Sequence, residues 1–259
     1  MSKWKKSNTA FTLVELSIVL VILGLLVGGV LAGQSLIRAA ELRSVTTEAS
    51  RYITAVLSFK DKCFALPGDM ANAQTFWSSA AACPGTASQG STDKTTCNGN
   101  GDGLLVPAGA GFGNENYRFW QHLANAGLIE GSYSGVTGDD SYVYTSISAN
   151  VPKSKAGNAY WSIIASSTYP TNTIFRYSGN HLILGGLISL SWNYGKILSA
   201  EEMWNVDTKA DDGKPALGAI ITNVTVCTDA ADSTSASFNA NYVLTATGKN
   251  CQPVYVRPF

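Results

Sequence analysis

The 259-residue sequence has no excess of charge of either sign, because 18 basic side chains are matched by 18 acidic ones. It therefore lacks the basic surplus typical of nucleic-acid-binding proteins, and we expect no nucleic-acid partner. Histidine is also scarce: His122 lies on one face of a predicted amphipathic helix and His181 opens a predicted strand. No GxSxG sequence is present, and no Ser, His and Asp set stands out as a catalytic trio. The sequence therefore predicts that the protein is not an enzyme.

None of the five cysteines belongs to a CxxC pair, which excludes the usual spacings of zinc sites and thioredoxin-like redox motifs. Disulfides are the better interpretation if this part of the chain lies outside the cytoplasm. The economical pairing joins Cys83 to Cys97 and Cys227 to Cys251, because each bond then closes a short polar loop within one region. Cys63 is left over, and we predict that it is a buried thiol that packs as a small apolar side chain.

No proline interrupts the apolar N-terminal run, which extends from Phe11 to Gly33 and is long enough for a helix to cross a hydrocarbon core of about 30 Å. Three lysines precede this run. The positive-inside rule therefore keeps residues 1–10 in the cytoplasm and sends everything after Gly33 across the membrane. One acidic residue, Glu15, lies near the start of the run, although a carboxylate placed in hydrocarbon is unfavourable by a few kcal/mol.

The helical pattern continues beyond Gly33 instead of ending at a small-residue cleavage site, so we predict that the apolar segment is retained. Residues 34–60 form an amphipathic continuation, in which apolar side chains recur at steps of three and four. The predicted inner face consists of Leu42, Val45, Ala49, Tyr52, Ile53 and Val56. One helix is predicted from about Thr12 to about Phe59, on the order of 70 Å long. Its first half would lie in lipid or against copies of itself.

Residues 61–259 are predicted to form a globular head of α+β type, because the composition shifts there to Gly, Ser, Thr, Asn and Ala with frequent turn signals. One short helix follows Asn114 as N-cap and ends at Gly127, and a second begins with a capping box of Ser199 and Glu202. We expect a sheet that packs on the second half of the long helix. The strand candidates are "SYVYTSISA", "AYWSIIASS", "TIFRYSG", "HLILGGLIS", "LGAIITNVTVC" and "NYVLTATG".

The stretch "NGNGDG" has the oxygen spacing of a calcium loop at its start, with Asn98, Asn100 and Asp102 in alternation. The twelfth position of such a loop is Gly109, which supplies no bidentate carboxylate. These three residues are therefore weak candidate calcium ligands. A Gly and Asn turn beside Cys97 is the alternative interpretation.

The stretch "DTKADDGKP" contains a second candidate calcium site. Asp207 and Asp211 are four residues apart and share a helix face, while Asp212 enters a turn, so three carboxylates can converge on a hard cation. The end of a helix explains the same residues without a metal. Calcium is thus a candidate ligand, and we predict that no cofactor is required.

The stretch "AFTLVELSIVLVILGLL" at residues 10–26 resembles the N-terminus of type IV prepilins and of type II secretion pseudopilins. The resemblance implies that residues 1–10 are a leader peptide, that a prepilin peptidase cuts between Ala10 and Phe11, and that the new Phe11 amine is methylated. It also implies that Glu15 pairs with the N-terminal ammonium of a neighbouring subunit during assembly. A buried carboxylate becomes tolerable when a cation enters the same apolar environment and hydrogen bonds to it. The alternative is a carboxylate that reaches water at the membrane interface.

Ala10 departs from the family, which usually has glycine at this position. The stretches "CFALPGDMANAQTFW", "WQHLANAGLIEG" and "VDTKADDGKPALG" resemble, in this order, segments of a large-headed subgroup of prepilin-type proteins. The segment between Cys227 and Cys251 resembles the disulfide-bounded C-terminal region of pilins. The family also adds to the calcium hypothesis, because some pseudopilin heads bind this ion.

The resemblance implies a pilin-like fold and a structural subunit of a type IV pilus-like filament. The alternatives are a minor pseudopilin of a type II secretion system and a singly anchored periplasmic binding protein that never polymerises. The implied partners are other pilin or pseudopilin subunits, the prepilin peptidase and the inner-membrane assembly platform. The implied location is a single pass in the inner membrane with a periplasmic head, and then a filament in the periplasm or at the cell surface.

Overall fold

The computed structural model describes residues 12–79, 94–105, 115–135, 150–166, 178–188, 192–222, 225–230 and 239–259. The α-helices in these ranges are α1 (Leu13–Cys63), α2 (Ala73–Trp77), α3 (Glu115–Asn125) and α4 (Ala200–Ala210), and a short 3-10 helix spans Thr225–Cys227. The strands are β1 (Ala159–Ser166), β2 (Gly179–Ile188), β3 (Trp192–Gly195), β4 (Ile220–Thr222) and β5 (Pro253–Val256). The α+β, pilin-like arrangement predicted from the sequence is confirmed. The chain divides into two compact units, one ending at Glu41 and one spanning Leu42–Phe259.

The first unit contains the apolar part of α1. Every large apolar side chain from Leu13 to Ile37 is exposed, and Leu13 itself is 86% exposed. By length and composition this helix could cross a membrane. The predicted helix from Thr12 to Phe59 is confirmed, with observed bounds of Leu13–Cys63.

In the second unit, α1 buries one face in the core. Its buried residues recur at steps of three and four, as expected for one side of a helix: Val45, Glu48, Ala49, Tyr52, Ala55, Val56 and Phe59. The Tyr52 ring makes edge contacts with Trp120 of α3 at 5.0 Å and with Trp161 of β1 at 5.7 Å between ring centroids. Ile53, predicted on the inner face, is only half-buried. The sheet therefore packs on the second half of α1, as predicted.

All pairings in the sheet are antiparallel, in the order β1-β2-β5-β4, with β3 pairing to β2 outside this path. The strands predicted for "AYWSIIASS" and "HLILGGLIS" are confirmed as β1 and β2. The strand predicted for "LGAIITNVTVC" is confirmed only at β4, because Thr225–Cys227 form a short 3-10 helix. β3 and the central β5, whose four residues are all buried, were not predicted from the sequence. Pro253 at the start of β5 weakened the strand pattern, because proline cannot donate to a ladder.

The prediction of a strand at "NYVLTATG" is wrong, because this stretch forms an isolated bridge followed by turns. Tyr242 makes an isolated bridge to Thr228, and the following residues form turns through Leu244 N–H to Tyr242 O and Ala246 N–H to Val243 O. Within this stretch Tyr242 is buried, whereas Leu244 is exposed, so the residues do not form a regular strand face. The candidate "SYVYTSISA" lies outside the described residues, as does "TIFRYSG" apart from its last two residues.

Both predicted head helices are observed. α3 ends at Asn125, and Gly127, two residues later, has a φ of 71°, the left-handed conformation that favours glycine after a helix C-terminus. Its predicted N-cap, Asn114, lies outside the described residues. α4 begins with the complete capping box of Ser199 and Glu202. The short α2 was not predicted.

Candidate functional site

Glu15 makes a reciprocal capping box with Thr12 at the start of α1. The backbone N–H and the hydroxyl of Thr12 each donate to Glu15 Oε2 at 2.8 Å, and the Glu15 N–H donates to Thr12 Oγ1 at 3.3 Å. Glu15 Oε1 makes no hydrogen bond to the described residues. This local role was not predicted, although "TLVE" has the S/T-x-x-E spacing of a capping box. Glu15 therefore completes the helix start through one of its two carboxylate oxygens.

The predicted processing residues, Ala10 and Phe11, lie outside the described residues. Cleavage and methylation at this position stay predictions from the sequence.

The "NGNGDG" loop wraps around the carboxylate of Asp69, which was not among the predicted site residues. Asp69 Oδ1 accepts hydrogen bonds from the N–H groups of Gly101 at 2.7 Å and Asp102 at 3.2 Å, and Oδ2 accepts from Gly103 N–H at 2.9 Å. Burial raises the Asp69 pKa, and the amides of Gly103 and Gly101 oppose this shift. The loop's amides therefore enclose a carboxylate of the protein itself.

The three candidate calcium ligands of this loop have their side-chain oxygens engaged. Asn98 Oδ1 accepts from the Gln74 amide at 2.9 Å, and Asn100 Oδ1 accepts from the Asp102 amide at 3.0 Å. Asp102 Oδ1 accepts from the Leu104 amide at 2.8 Å. These bonds support the turn interpretation, and calcium binding at this loop stays a prediction.

The second acidic cluster is brought together at the C-terminal end of α4. One carboxylate oxygen from each of Asp207, Asp211 and Asp212 lies within 4.8 Å of the other two. Asp207 is buried, Asp211 is half-buried and Asp212 is exposed. The group therefore runs from the core to solvent, as an ion site with an entry path would.

Asp207 is the unusual member of this cluster. Its Oδ2 accepts a 2.7 Å hydrogen bond from the Tyr242 hydroxyl, whereas Oδ1 is buried and has no hydrogen-bond partner in the described part of the chain. Burial raises the Asp207 pKa to about 7, and the neighbouring Asp212 and Asp211 carboxylates act in the same direction. The Tyr242 hydroxyl and the nearby Gly213 amide oppose the shift.

The other two carboxylates are oriented by backbone amides. Asp211 Oδ2 accepts from the N–H groups of Ala219 and Ile220, the latter at 2.8 Å. Asp212 Oδ1 accepts from the Lys214 amide at 2.8 Å. The second oxygen of each carboxylate makes no hydrogen bond to the described residues.

The disulfide predictions are confirmed where the structure describes both cysteines. Cys227 and Cys251 are joined, with their Cα atoms 5.2 Å apart. Cys97 is disulfide-bonded, and its predicted partner Cys83 lies outside the described residues. Cys63 is a free thiol, half-buried and not fully buried as predicted. Burial raises the Cys63 pKa, which favours the protonated thiol over the reactive thiolate.

His122 is a core residue. Its Nδ1 accepts from the Gly68 amide at 2.9 Å, and its Nε2 lies 3.0 Å from Thr96 Oγ1. The ring also stacks against Phe59. Complete burial lowers the His122 pKa to about 3, and the Arg118 charge acts in the same direction. The imidazole is therefore neutral, and both of its ring nitrogens are engaged by core residues.

Residues 5–31 match a family model described as the prokaryotic N-terminal methylation motif. The match includes the predicted cleavage position, Glu15 and most of the apolar part of α1. Comparison with curated proteins and with solved structures gave no match.

Proposed function

We propose that this chain, a type IV pilin- or pseudopilin-like protein by its N-terminal methylation motif, is a structural subunit of a type IV pilus-like filament. Prepilin peptidase would cut between Ala10 and Phe11, and the helix that follows would drive assembly. The observation that carries this proposal is the match of residues 5–31 to the methylation motif on a helix whose large apolar side chains from Leu13 to Ile37 are all exposed. The role of the family is structural, and we propose no catalytic activity.

The exposed apolar surface explains why the helix needs an apolar environment. Its leucine, isoleucine and valine side chains are at least half exposed from Leu13 to Ile37, on all sides of the helix. An apolar surface of this extent requires lipid or another protein surface. The inner membrane would provide the lipid before assembly, and copies of the same helix would provide the protein surface afterwards. Repetition of one heterologous contact gives an open helical filament.

The chemistry of Glu15 fits such a contact. Oε2 is occupied by Thr12, and Oε1 has no hydrogen bond to the described residues. After cleavage, the new N-terminal ammonium of one subunit could donate to Oε1 of its neighbour. A charge-assisted hydrogen bond of this kind is favourable where water is excluded. The capping box would meanwhile keep the carboxylate in position.

Three variants separate the charge of Glu15 from its capping role. Glu15→Gln removes the charge and keeps a side chain that can form a capping box. Thr12→Ala removes the cap and keeps the charge, with an expected loss of about 1 kcal/mol in helix stability. Glu15→Val removes both. The measurement is the amount of each variant in the membrane and in filaments sheared from cells that express the assembly machinery.

We expect all three variants in the membrane, and we expect the two Glu15 variants to be depleted from filaments roughly tenfold or more, as for the loss of an interaction of at least 1.4 kcal/mol. Thr12→Ala should still be incorporated. Normal incorporation of Glu15→Gln would contradict the proposed role of the Glu15 charge in assembly. Absence of the wild-type chain from filaments would contradict the filament role and favour the singly anchored binding protein. Filaments confined to the periplasm would instead favour a pseudopilin.

A further inference from the structure

We infer that Asp207, Asp211 and Asp212 form a binding site for a divalent cation of the calcium class. This site goes beyond the proposed filament role and does not depend on it. All three ligand atoms are carboxylate oxygens, which suit a hard cation and are poorly matched to zinc or copper. Two oxygens on opposite sides of one calcium ion are about 4.8 Å apart. The three donor atoms lie within 4.8 Å of one another, as ligands of a single ion require.

The state of Asp207 is evidence independent of the clustering. Its side chain is completely buried, and Oδ1 has no hydrogen-bond partner in the described part of the chain. None of the three carboxylates forms a salt bridge with a described residue. Three converging acidic groups, one of them with an unsatisfied buried oxygen, are unfavourable without a positive charge among them. A bound cation supplies both the missing partner and the missing charge.

The surroundings hold the carboxylates in place without using all of their oxygens. One oxygen of each is engaged: by the Tyr242 hydroxyl on Asp207, by two amides at the start of β4 on Asp211, and by the Lys214 amide on Asp212. The second oxygen of each makes no hydrogen bond to a described residue. Such outer contacts orient ligand groups and increase metal affinity. The site is therefore oriented before an ion arrives.

The burial gradient determines how the ion would be coordinated. Calcium takes about six to eight oxygen ligands, and water can complete the set from the side of the exposed Asp212. Asp207 would contact the ion from the core. The ion would then join the end of α4 to the start of β4 through Asp211, and to the segment within the Cys227–Cys251 disulfide loop through Asp207 and its partner Tyr242. Calcium should therefore stabilise the C-terminal part of the head.

The test uses the full chain in detergent, with calcium chloride or a chelator as the only variable. We expect calcium to raise the melting temperature by about 5–10 °C at a hundredfold excess over its dissociation constant.

Terbium is a second probe, because an ion at Asp207 would lie close enough to the Tyr242 ring for sensitised luminescence. Calcium should displace terbium and abolish this signal.

Asp212→Asn is the decisive variant, because asparagine keeps an oxygen that can accept from the Lys214 amide but removes the charge. We expect it to fold and to lose most of the calcium-induced shift. The matched control is Asp102→Asn, which makes the same change in the "NGNGDG" loop and should keep the full shift. A wild-type chain whose melting is indifferent to about 10 mM calcium would overturn the inference. So would a full shift in Asp212→Asn, or loss of the shift only in Asp102→Asn.

Discussion

The Tyr242 hydroxyl donates a 2.7 Å hydrogen bond to Asp207 Oδ2, and this contact joins α4 to a segment 35 residues later in the chain. Both side chains are buried. The bond therefore crosslinks the last turn of a helix to the loop bounded by the Cys227–Cys251 disulfide. It is also the only hydrogen bond of normal geometry that the Asp207 carboxylate receives from the described residues.

Removal of this hydroxyl should destabilise the head. We expect Tyr242→Phe to lower the free energy of unfolding by about 1–3 kcal/mol, because it leaves Asp207 without its buried donor. Tyr255→Phe is the matched control, since the Tyr255 hydroxyl is buried with no hydrogen-bond partner among the described residues. Its removal should be neutral or stabilising. Urea unfolding of the full chain in detergent, followed by tryptophan fluorescence, measures both. Equal losses in the two variants would contradict the assigned bond.

Glu48 should be the polar group that matters most for attachment of α1 to the sheet. Its Oε2 accepts from Ser154 Oγ and Trp161 Nε1, both at 2.7 Å, and its Oε1 accepts from the Lys155 amide at 3.0 Å. Glu48→Gln places an NH₂ group against one of these donors. We expect a loss of about 3 kcal/mol or more in unfolding free energy. Glu201→Gln, at an exposed position of α4, should change it by less than about 0.5 kcal/mol; a similar small effect at Glu48 would refute the prediction.

His122 should make the head less stable in acid. Its pKa in the folded protein is lowered to about 3, whereas the unfolded chain takes up the proton near the ordinary value of 6.5. Below pH 6.5 the unfolded state therefore binds more protons, and stability falls by up to about 1.4 kcal/mol per pH unit as the pH decreases towards 3. Above pH 6.5 this contribution is complete and constant.

The check on His122 is a comparison of pH slopes. Between about pH 6.5 and 5, the wild type should lose about 1.6 kcal/mol more than His122→Gln, whose side chain does not titrate. All other titrating groups, including His181, are common to both chains, so their contributions largely cancel. Parallel slopes would show that His122 is not buried in its neutral form.

Cleavage and methylation at Phe11 can be tested by measuring the mass of the membrane form of the protein. If the peptidase acts as proposed, the membrane form should begin at Phe11 and carry one methyl group on its amine. Intact mass spectrometry and N-terminal sequencing measure this directly. A chain that begins at Met1, or one cleaved after Gly33, would contradict processing at the predicted position.

The two proposed disulfides can be tested by peptide mapping and by their effect on stability. Under non-reducing conditions, Cys227 should be found joined to Cys251 and Cys97 joined to Cys83, with Cys63 alkylated in the absence of reductant. Replacing both Cys227 and Cys251 by alanine opens a loop with a sequence separation of 24 residues and should lower stability by about 3.5 kcal/mol. A bridge from Cys63 to Cys97 would invalidate the proposed pairing.

The sequence by itself determined the features that depend on local order along the chain. The long helix followed from an apolar run and a repeat at three and four residues, and its capping and methylation signals lie within residues 5–31. The helices α3 and α4 were marked by Gly127 and by the Ser199 and Glu202 capping box. These features are set by neighbours a few residues apart, so a linear pattern is sufficient to reveal them.

Only the tertiary structure decided which distant groups meet. The central strand β5 is short and begins with proline, and burial between β2 and β4 makes it a strand although its local pattern is weak. Asp69 was not selected from the sequence because its partners lie more than 30 residues away in the "NGNGDG" loop. Asp207 was selected for its spacing to Asp211. Its burial and its contact with Tyr242, which leave one oxygen unsatisfied, arise from packing of segments that no local pattern connects.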